Sequence, residues 1–187
     1  GSEMCIRDRI LGNEQVTQYY VVSLIGKTLV LLIAPINTIV ISYLTKRKER
    51  LTRSQFGKAV LAGGGVSLAF FVACQIGTPL FVWLFYRNLY ESVKGIVTVV
   101  NLAQILGLFS AFLFILVLTF TDERWQLWIQ LAHFCILLVS SVLAARTYGM
   151  MGFAVASLGA NSLRVAAVVI LGIVKAGKDK GDRNADR

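Results

Sequence analysis

The sequence is poor in charged residues, and acidic residues are the scarcer kind. Of its 187 residues 16% are charged, with 10 Asp and Glu against 19 Lys and Arg. Soluble domains carry about 25% charged and about 45–50% apolar residues, whereas this chain is 56% hydrophobic with a mean hydropathy of +0.69. The composition therefore argues against a soluble globular domain and places the chain among membrane proteins.

Signatures of catalysis and metal binding are also missing. The chain has one histidine and three cysteines, and it contains no HExxH, GxSxG or GxxxxGK[ST] pattern. Cys74 and Cys135 lie inside apolar runs without CxxC spacing, which is typical of reduced, structural cysteines. We therefore expect no enzyme activity, no cofactor and no bound metal. The formal net charge of +9 does not indicate a nucleic-acid partner, because in a membrane chain the position of each charge matters more than the sum.

The opening stretch, GSEMCIRDR, does not resemble the rest of the chain. Its charges interrupt any apolar core, so it is not a secretory signal peptide. Reverse translation of Gly1–Arg9 matches the end of a transposon-type sequencing adapter. We therefore expect residues 1–9 to be a translated artefact, and residues 10–174 to be the C-terminal part of a longer membrane protein.

Five apolar stretches are long enough to cross a bilayer, which takes about 20 residues. In chain order we name them predicted helices A to E: Val16–Leu44, Gly57–Tyr86, Gly95–Phe120, Trp125–Ala145 and Gly149–Val174. Short connections make consecutive helices antiparallel neighbours. The expected fold is an all-α, polytopic transmembrane bundle of five helices, followed by a polar tail, 175–187, that we expect to be disordered.

The basic residues predict the orientation. Six Lys and Arg fall in the loop 45–58 and five in the tail, and both segments should therefore be cytoplasmic. The loops between B and C and between D and E then lie outside, and Tyr19 belongs to the outer aromatic belt. We expect a multi-pass protein of the cell membrane, inner or plasma.

Two cations lie at membrane depth. Arg164 is ten residues before Val174, which at 1.5 Å per residue is about 15 Å from the cytoplasmic end. An arginine there costs at least about 2.5–3.5 kcal/mol on insertion scales, so it needs a partner, water or an anionic ligand. Lys27 lies in the outer part of helix A, where it either joins the same site or extends to the interface.

Polar side chains recur at helical spacing on several helices, which suggests a bundle around a wet cavity. The alternative is simple interhelical hydrogen bonding, and the spacing does not decide between them. The remaining cavity candidates are Asn101, Gln104, Gln130, His133 and Asn161. Pro35 and Pro79 are candidate hinges, although a static kink fits them equally well. The run Gly63-Gly64-Gly65 is typical of close helix packing.

Three stretches of the chain follow a familiar pattern: LGNEQVTQYYVVSLIGKTLVLLIAPINTIVISYLTKRKE, GTPLFVWLFYRNLYES and YGMMGFAVASLGANSLRVAAVVILG. In this order they resemble the eighth helix, the end of the ninth helix and the last helix of the polysaccharide flippases, which belong to the multidrug/oligosaccharidyl-lipid/polysaccharide superfamily. Tyr86-Arg87-Asn88 departs from the pattern, since a Gly-containing turn is common there.

The resemblance implies the C-terminal lobe of a two-lobed, MATE-like transporter that works by alternating access. It implies a polyprenyl-pyrophosphate-linked oligosaccharide as substrate, and the bilayer and glycan polymerase or glycosyltransferase machinery as partners. A drug or cation antiporter of the same superfamily is an alternative, although it should carry membrane carboxylates. A membrane enzyme acting on lipid-linked sugars is another, with Glu91, Asp122 and Glu123 as its available acids.

The orientation is testable by cysteine accessibility in a cysteine-free version of the chain. Arg53→Cys and Lys178→Cys should react with a membrane-impermeant thiol reagent only after the membrane is permeabilised, because both are predicted to be cytoplasmic. Asn88→Cys and Thr147→Cys should react in intact cells. Labelling of position 53 in intact cells would contradict the assignment.

Overall fold

The computed structural model describes residues 17–28, 53–118, 121 and 123–182, and within them every regular element is a helix. We number the helices in chain order. Helix α1 covers 17–28, α2 is Arg53–Phe85, α3 is Arg87–Val93, α4 is Val97–Leu118 and α5 is Glu123–Asp182. Three of them, α2, α4 and the 124–175 part of α5, contain segments long and apolar enough to span a membrane. The chain is an all-helical membrane protein.

Helix α5 is two helices folded back on each other. A straight helix of 60 residues would be about 90 Å long and would separate residues 133 and 161 by about 42 Å. Instead, His133 Nε2 lies 3.2 Å from Asn161 Oδ1, and the Lys175 ammonium lies 5.6 Å from the Trp125 ring. The reversal occurs at Gly149, whose φ of 59° and ψ of −139° are not helical. We call 123–148 the first limb and 150–182 the second limb of the hairpin.

The reversal requires small residues, because the chain changes direction between the two limbs within a single residue. Gly149 has the only positive φ among the described residues, in a region that is strained for any side chain with a Cβ. A Cβ on Gly152 would lie 2.1 Å from the carbonyl oxygen of Ala144. Glycine at both positions therefore lets the backbone of the second limb pass against the end of the first.

Two apolar clusters close the two ends of the bundle. The outer cluster lies beside the Gly149 turn, where the T-shaped pair of Tyr19 and Phe153, with ring centroids 5.1 Å apart, joins α1 to the hairpin. Its core also contains Val82, Val93, Val97 and Val100. The inner cluster is built on Phe56, Leu113, Leu116, Val117 and Val168, from α2, α4 and the second limb. These clusters leave the middle of the bundle to polar side chains.

Helices α2 and α4 pack closely at both ends of their contact. At the inner end a Cβ on Gly63 would lie 2.6 Å from the Phe112 ring, so this part of the glycine run does serve helix packing. Near the other end, Asn101 of α4 donates to the Cys74 carbonyl at 3.1 Å and accepts from Thr78 Oγ1 at 3.2 Å. This network lies in the turn where Pro79 lacks the N–H for a backbone bond.

The helix bounds differ from the predicted ones mostly at the ends. Helices B and C were predicted within a few residues of α2 and α4, and helices D and E correspond to the two limbs of the hairpin. Of helix A the described part is 17–28, and Pro35 lies outside the described residues. The short helix α3 was not predicted, because its seven residues are about a third of a membrane span and its charged Arg87 and Glu91 resemble a loop.

The tail prediction was wrong in part. Helix α5 continues past Val174 to Asp182, so the first residues of the polar tail extend the last helix. A helix that is already formed adds each further residue without a new nucleation step, which favours helix over coil in a short polar extension.

The hairpin predicts contrasting effects for two glycines of the second limb. Gly152→Ala should destabilise the protein by about 1–3 kcal/mol, the usual cost of forcing an extra group into a packed site, because the clash is with backbone. Gly159 is the matched control, since a Cβ there meets nothing within 4 Å, and Gly159→Ala should leave stability unchanged or slightly raised. The midpoint of thermal unfolding in detergent measures both, and equal midpoints would contradict the hairpin turn described above.

Candidate functional site

A cavity of about 300 Å³ lies between the two apolar clusters. It is lined by Tyr19, Ser23 and Lys27 of α1, by Ala103, Gln104, Gly107, Leu108 and Ala111 of α4, by His133 of the first limb and by Ser157, Asn161 and Arg164 of the second limb. Tyr19 belongs to the outer cluster. The cavity wall is thus made by four helical elements: α1, α4 and both limbs of the hairpin.

Helical periodicity explains why the second limb presents three polar side chains together. Ser157, Asn161 and Arg164 are spaced by four and then three residues, so they share one face of the helix. Arg164 lies fifteen residues after Gly149 in the sequence, which places it about 22 Å along the limb. That distance is shorter than the thickness of a hydrocarbon core, about 30 Å, and Arg164 lies within the 124–175 stretch that is long and apolar enough to span a membrane.

Asn161 joins the hairpin to α4. Its Nδ2 donates to the carbonyl of Ala103 at 2.8 Å, and its Oδ1 lies 3.2 Å from His133 Nε2. A Cβ on Gly107 would approach Asn161 Nδ2 to 3.3 Å, so the small residue on α4 gives the amide its room. Both polar ends of Asn161 are therefore satisfied, and the residue is fixed in place.

Arg164 has an aromatic neighbour but an unsatisfied nitrogen. Its guanidinium carbon lies 5.3 Å from the centroid of the Phe114 ring, which is within the range of a cation–π contact. Its Nε is buried and has no hydrogen-bond partner among the described residues. The hydroxyl of Ser157, a residue that is 4% exposed, is likewise buried without a hydrogen-bond partner among the described residues. Such buried donors usually have a partner, water or ligand.

Lys27 reaches the cavity from α1. Its ammonium lies 4.9 Å from the centroid of the Tyr20 ring, and it is one of the residues that line the cavity. The residue before Lys27 lets α1 lie close to α4, because a Cβ on Gly26 would overlap the side-chain amide of Gln104. Gln104 Nε2 donates to the Ser23 carbonyl at 3.2 Å, which holds α1 against α4.

The described part of the cavity is basic. Lys27 and Arg164 both line it, and Asp and Glu are absent from its lining. The sequence also contains no Asp or Glu within 17–28, 53–85, 97–118 or 124–175. Two cations line a cavity whose lining contains no carboxylate, and the Arg164 Nε and the Ser157 hydroxyl are buried there without a partner among the described residues. These features favour binding of an anion, which offsets the cost of desolvating the cations.

The structure gathers five of the seven predicted side chains into one place. Arg164, Lys27, Asn161, Gln104 and His133 all line the cavity.

The remaining candidates lie elsewhere. Asn101 is buried in the network between α2 and α4, because its position on the helix turns it towards α2, and Gln130 is exposed on the first limb. Pro79 lies within an unbroken α2. Tyr19, which lines the cavity, and Phe114, whose ring lies beside the Arg164 guanidinium, were not selected as site residues from the sequence, since an aromatic residue in an apolar helix carries no polar signal.

No family model, curated protein or solved structure matches the chain.

The cavity predicts unequal reactivity for two buried serines of the hairpin. Ser157 and Ser141 are 4% and 0% exposed, and both hydroxyls lack a partner among the described residues, but Ser157 lines the cavity and Ser141 does not. In a cysteine-free chain, a hydrophilic thiol reagent should modify Ser157→Cys roughly tenfold faster than Ser141→Cys. The reason is that a thiolate forms more readily beside water and cations than in an apolar contact. Equal rates would mean that the cavity is not hydrated.

Proposed function

We propose that the protein is a flippase that moves a polyprenyl-pyrophosphate-linked oligosaccharide across the membrane for the synthesis of a cell-surface polysaccharide. Its helices would form the C-terminal lobe of a two-lobed, MATE-like transporter. The observation that carries the proposal is the basic cavity at membrane depth, where Lys27 and Arg164 line one space and the buried Arg164 Nε has no partner among the described residues.

The chemistry of the cavity supports a diphosphate as the group that is bound. Phosphate oxygens carry negative charge and accept several hydrogen bonds, so they match guanidinium, ammonium and hydroxyl donors. A volume of about 300 Å³ is at the lower end of ligand pockets, which span about 300–1,000 Å³. The cavity is therefore suited to the diphosphate and the nearest sugar, while the polyprenyl tail stays in the bilayer.

The charge of the cavity also separates this proposal from the alternatives. A cation antiporter of the same superfamily would need carboxylates at membrane depth to bind drug or ion, and the described helices have none in their spans. A membrane enzyme of the kind considered above would use carboxylic acids beside the bound sugar, and the cavity lining contains none. Glu91 is occupied in an exposed ion pair with Lys94, on the short helix α3 and away from the cavity lining.

Alternating access requires a helix that changes shape or tilt between states. Helix α2 is suited to this role, because Pro79 removes one backbone hydrogen bond in its outer half. The neighbouring Asn101 bonds to the Cys74 carbonyl and to Gln75, which gives this turn partners on α4. In the proposed cycle, α2 bends at Pro79 while α4 and the hairpin keep the cation site together.

The role of Arg164 predicts an order of activity among its variants. Arg164→Lys keeps the charge but loses the planar fork, so export of lipid-linked glycan should be partly retained. Arg164→Ala should lower export about tenfold or more, the effect of losing one charge-assisted hydrogen bond of about 1.5–3 kcal/mol. Arg164→Glu should be worse, because it repels the diphosphate. Surface glycan and membrane abundance are measured together in the intact transporter.

Arg146 provides the matched control, because it is an exposed cation of the same hairpin that does not line the cavity. Arg146→Ala should export normally at normal abundance. If Arg164→Ala also exports normally at normal abundance, Arg164 is not part of the binding site. If its export and abundance fall together, the residue is structural, and the proposal loses its main support.

A further inference from the structure

The hydrogen bonds around Asn161 determine which nitrogen of His133 carries its proton. A backbone carbonyl accepts and never donates, so the atom that lies 2.8 Å from the Ala103 oxygen must be the NH₂ end of the amide. The other end, Oδ1, is then an acceptor. It lies 3.2 Å from His133 Nε2, and a hydrogen bond there requires that Nε2 be the donor. This chain of donors and acceptors assigns the proton of a neutral ring to Nε2.

We propose that Asn161 is a positioning residue, which holds neutral His133 as the tautomer protonated on Nε2 and so makes Nδ1 the atom that takes up and releases a proton. Neutral imidazole has one N–H and one lone pair, and the amide fixes which is which. The inference concerns the ring itself and does not require the proposed transport function.

Proton uptake at Nδ1 would change what the cavity can bind. The charged and titratable groups that line it with His133 are Tyr19 and Lys27 on α1 and Arg164 on the second limb, whereas α4 contributes the neutral Gln104. With Nδ1 deprotonated the ring is neutral, and with Nδ1 protonated it adds a third positive charge to the cavity lining. The proton state of one ring thus modulates the affinity of the cavity for an anion.

The chain contains one histidine, which makes the proposal directly measurable. The 187-residue chain is labelled with ¹⁵N-histidine, purified by a tag without histidine and placed in lipid nanodiscs. The ¹⁵N shifts of the imidazole distinguish a protonated from an unprotonated ring nitrogen. At alkaline pH, wild type should show Nε2 fully protonated and Nδ1 unprotonated, and acidification should change the Nδ1 signal while Nε2 stays protonated.

Two substitutions separate positioning from packing. Asn161→Asp keeps an oxygen that accepts from Nε2 but loses the donor to Ala103, so Nε2 should remain the protonated nitrogen. Asn161→Leu, similar in size, loses both bonds and should give averaged shifts of mixed tautomers. A merely structural role predicts that Asp and Leu act alike, because both remove the bond to α4. Ser162→Ala is the control, since its hydroxyl bonds to the Leu158 carbonyl of its own helix, and it should keep the wild-type shifts.

The outcomes are decisive in each direction. Nδ1 protonated in neutral wild type would overturn the proposal, as would wild-type shifts in Asn161→Leu. Loss of the wild-type tautomer in Asn161→Leu with retention in Asn161→Asp and Ser162→Ala supports it. These results do not depend on glycan export, so a failed export experiment with Arg164 variants leaves them standing, and the reverse also holds.

Discussion

One turn of α4 makes hydrogen bonds to three other helical elements, and the rest of the bundle depends on it. Asn101 bonds to α2, the Ala103 carbonyl accepts from the hairpin and Gln104 donates to α1. In an apolar interior a polar group without a partner costs several kcal/mol, so each bond is also a restraint on where the neighbouring helix can lie. Residues 101–104 therefore act as the common reference for α1, α2 and the second limb.

The same constraint separates the scaffold from the site. Around α4 the amide side chains have partners within the protein, and they hold the helices in register. On the facing side, the Ser157 hydroxyl and the Arg164 Nε have none among the described residues. The amides around α4 are thus satisfied, whereas a hydroxyl and a guanidinium nitrogen in the same cavity remain available to a water molecule or a ligand. The apolar clusters at each end keep that space from collapsing, because they hold the helices apart and in place.

Much of this arrangement could be predicted from the sequence. Long apolar runs predicted α2, α4 and both limbs, since hydrophobic length alone identifies a span. Rare polar residues at depth predicted most of the cavity, because polar groups in a membrane helix turn towards protein or water. Asn101 and Gln130 show the limit of that reasoning. Asn101 uses its polar side chain to pair α4 with α2, whereas the polar side chain of Gln130 is exposed. Deciding between these two outcomes requires the rotation of each helix about its axis.

Other features carry no such signal. The short helix α3 has a polar composition that is also typical of a loop, and Tyr19 and Phe114 are aromatic residues among many. The partner of His133 could not be read from the sequence either, because residues 133 and 161 meet through the register of the hairpin. Gly149 sets that register, and the periodicity of polar residues along either limb gives no information about it.

The one-residue turn at Gly149 also bears on how the protein enters the membrane. The two apolar helices are joined by a single residue. The insertion machinery therefore has no hydrophilic loop to translocate separately. Pairing within the hairpin lets His133 and Asn161 bury each other's polar atoms while both limbs move into lipid together, which lowers the barrier that either would meet alone. We therefore expect the two limbs to insert as one body and to complete the fold when they reach α4.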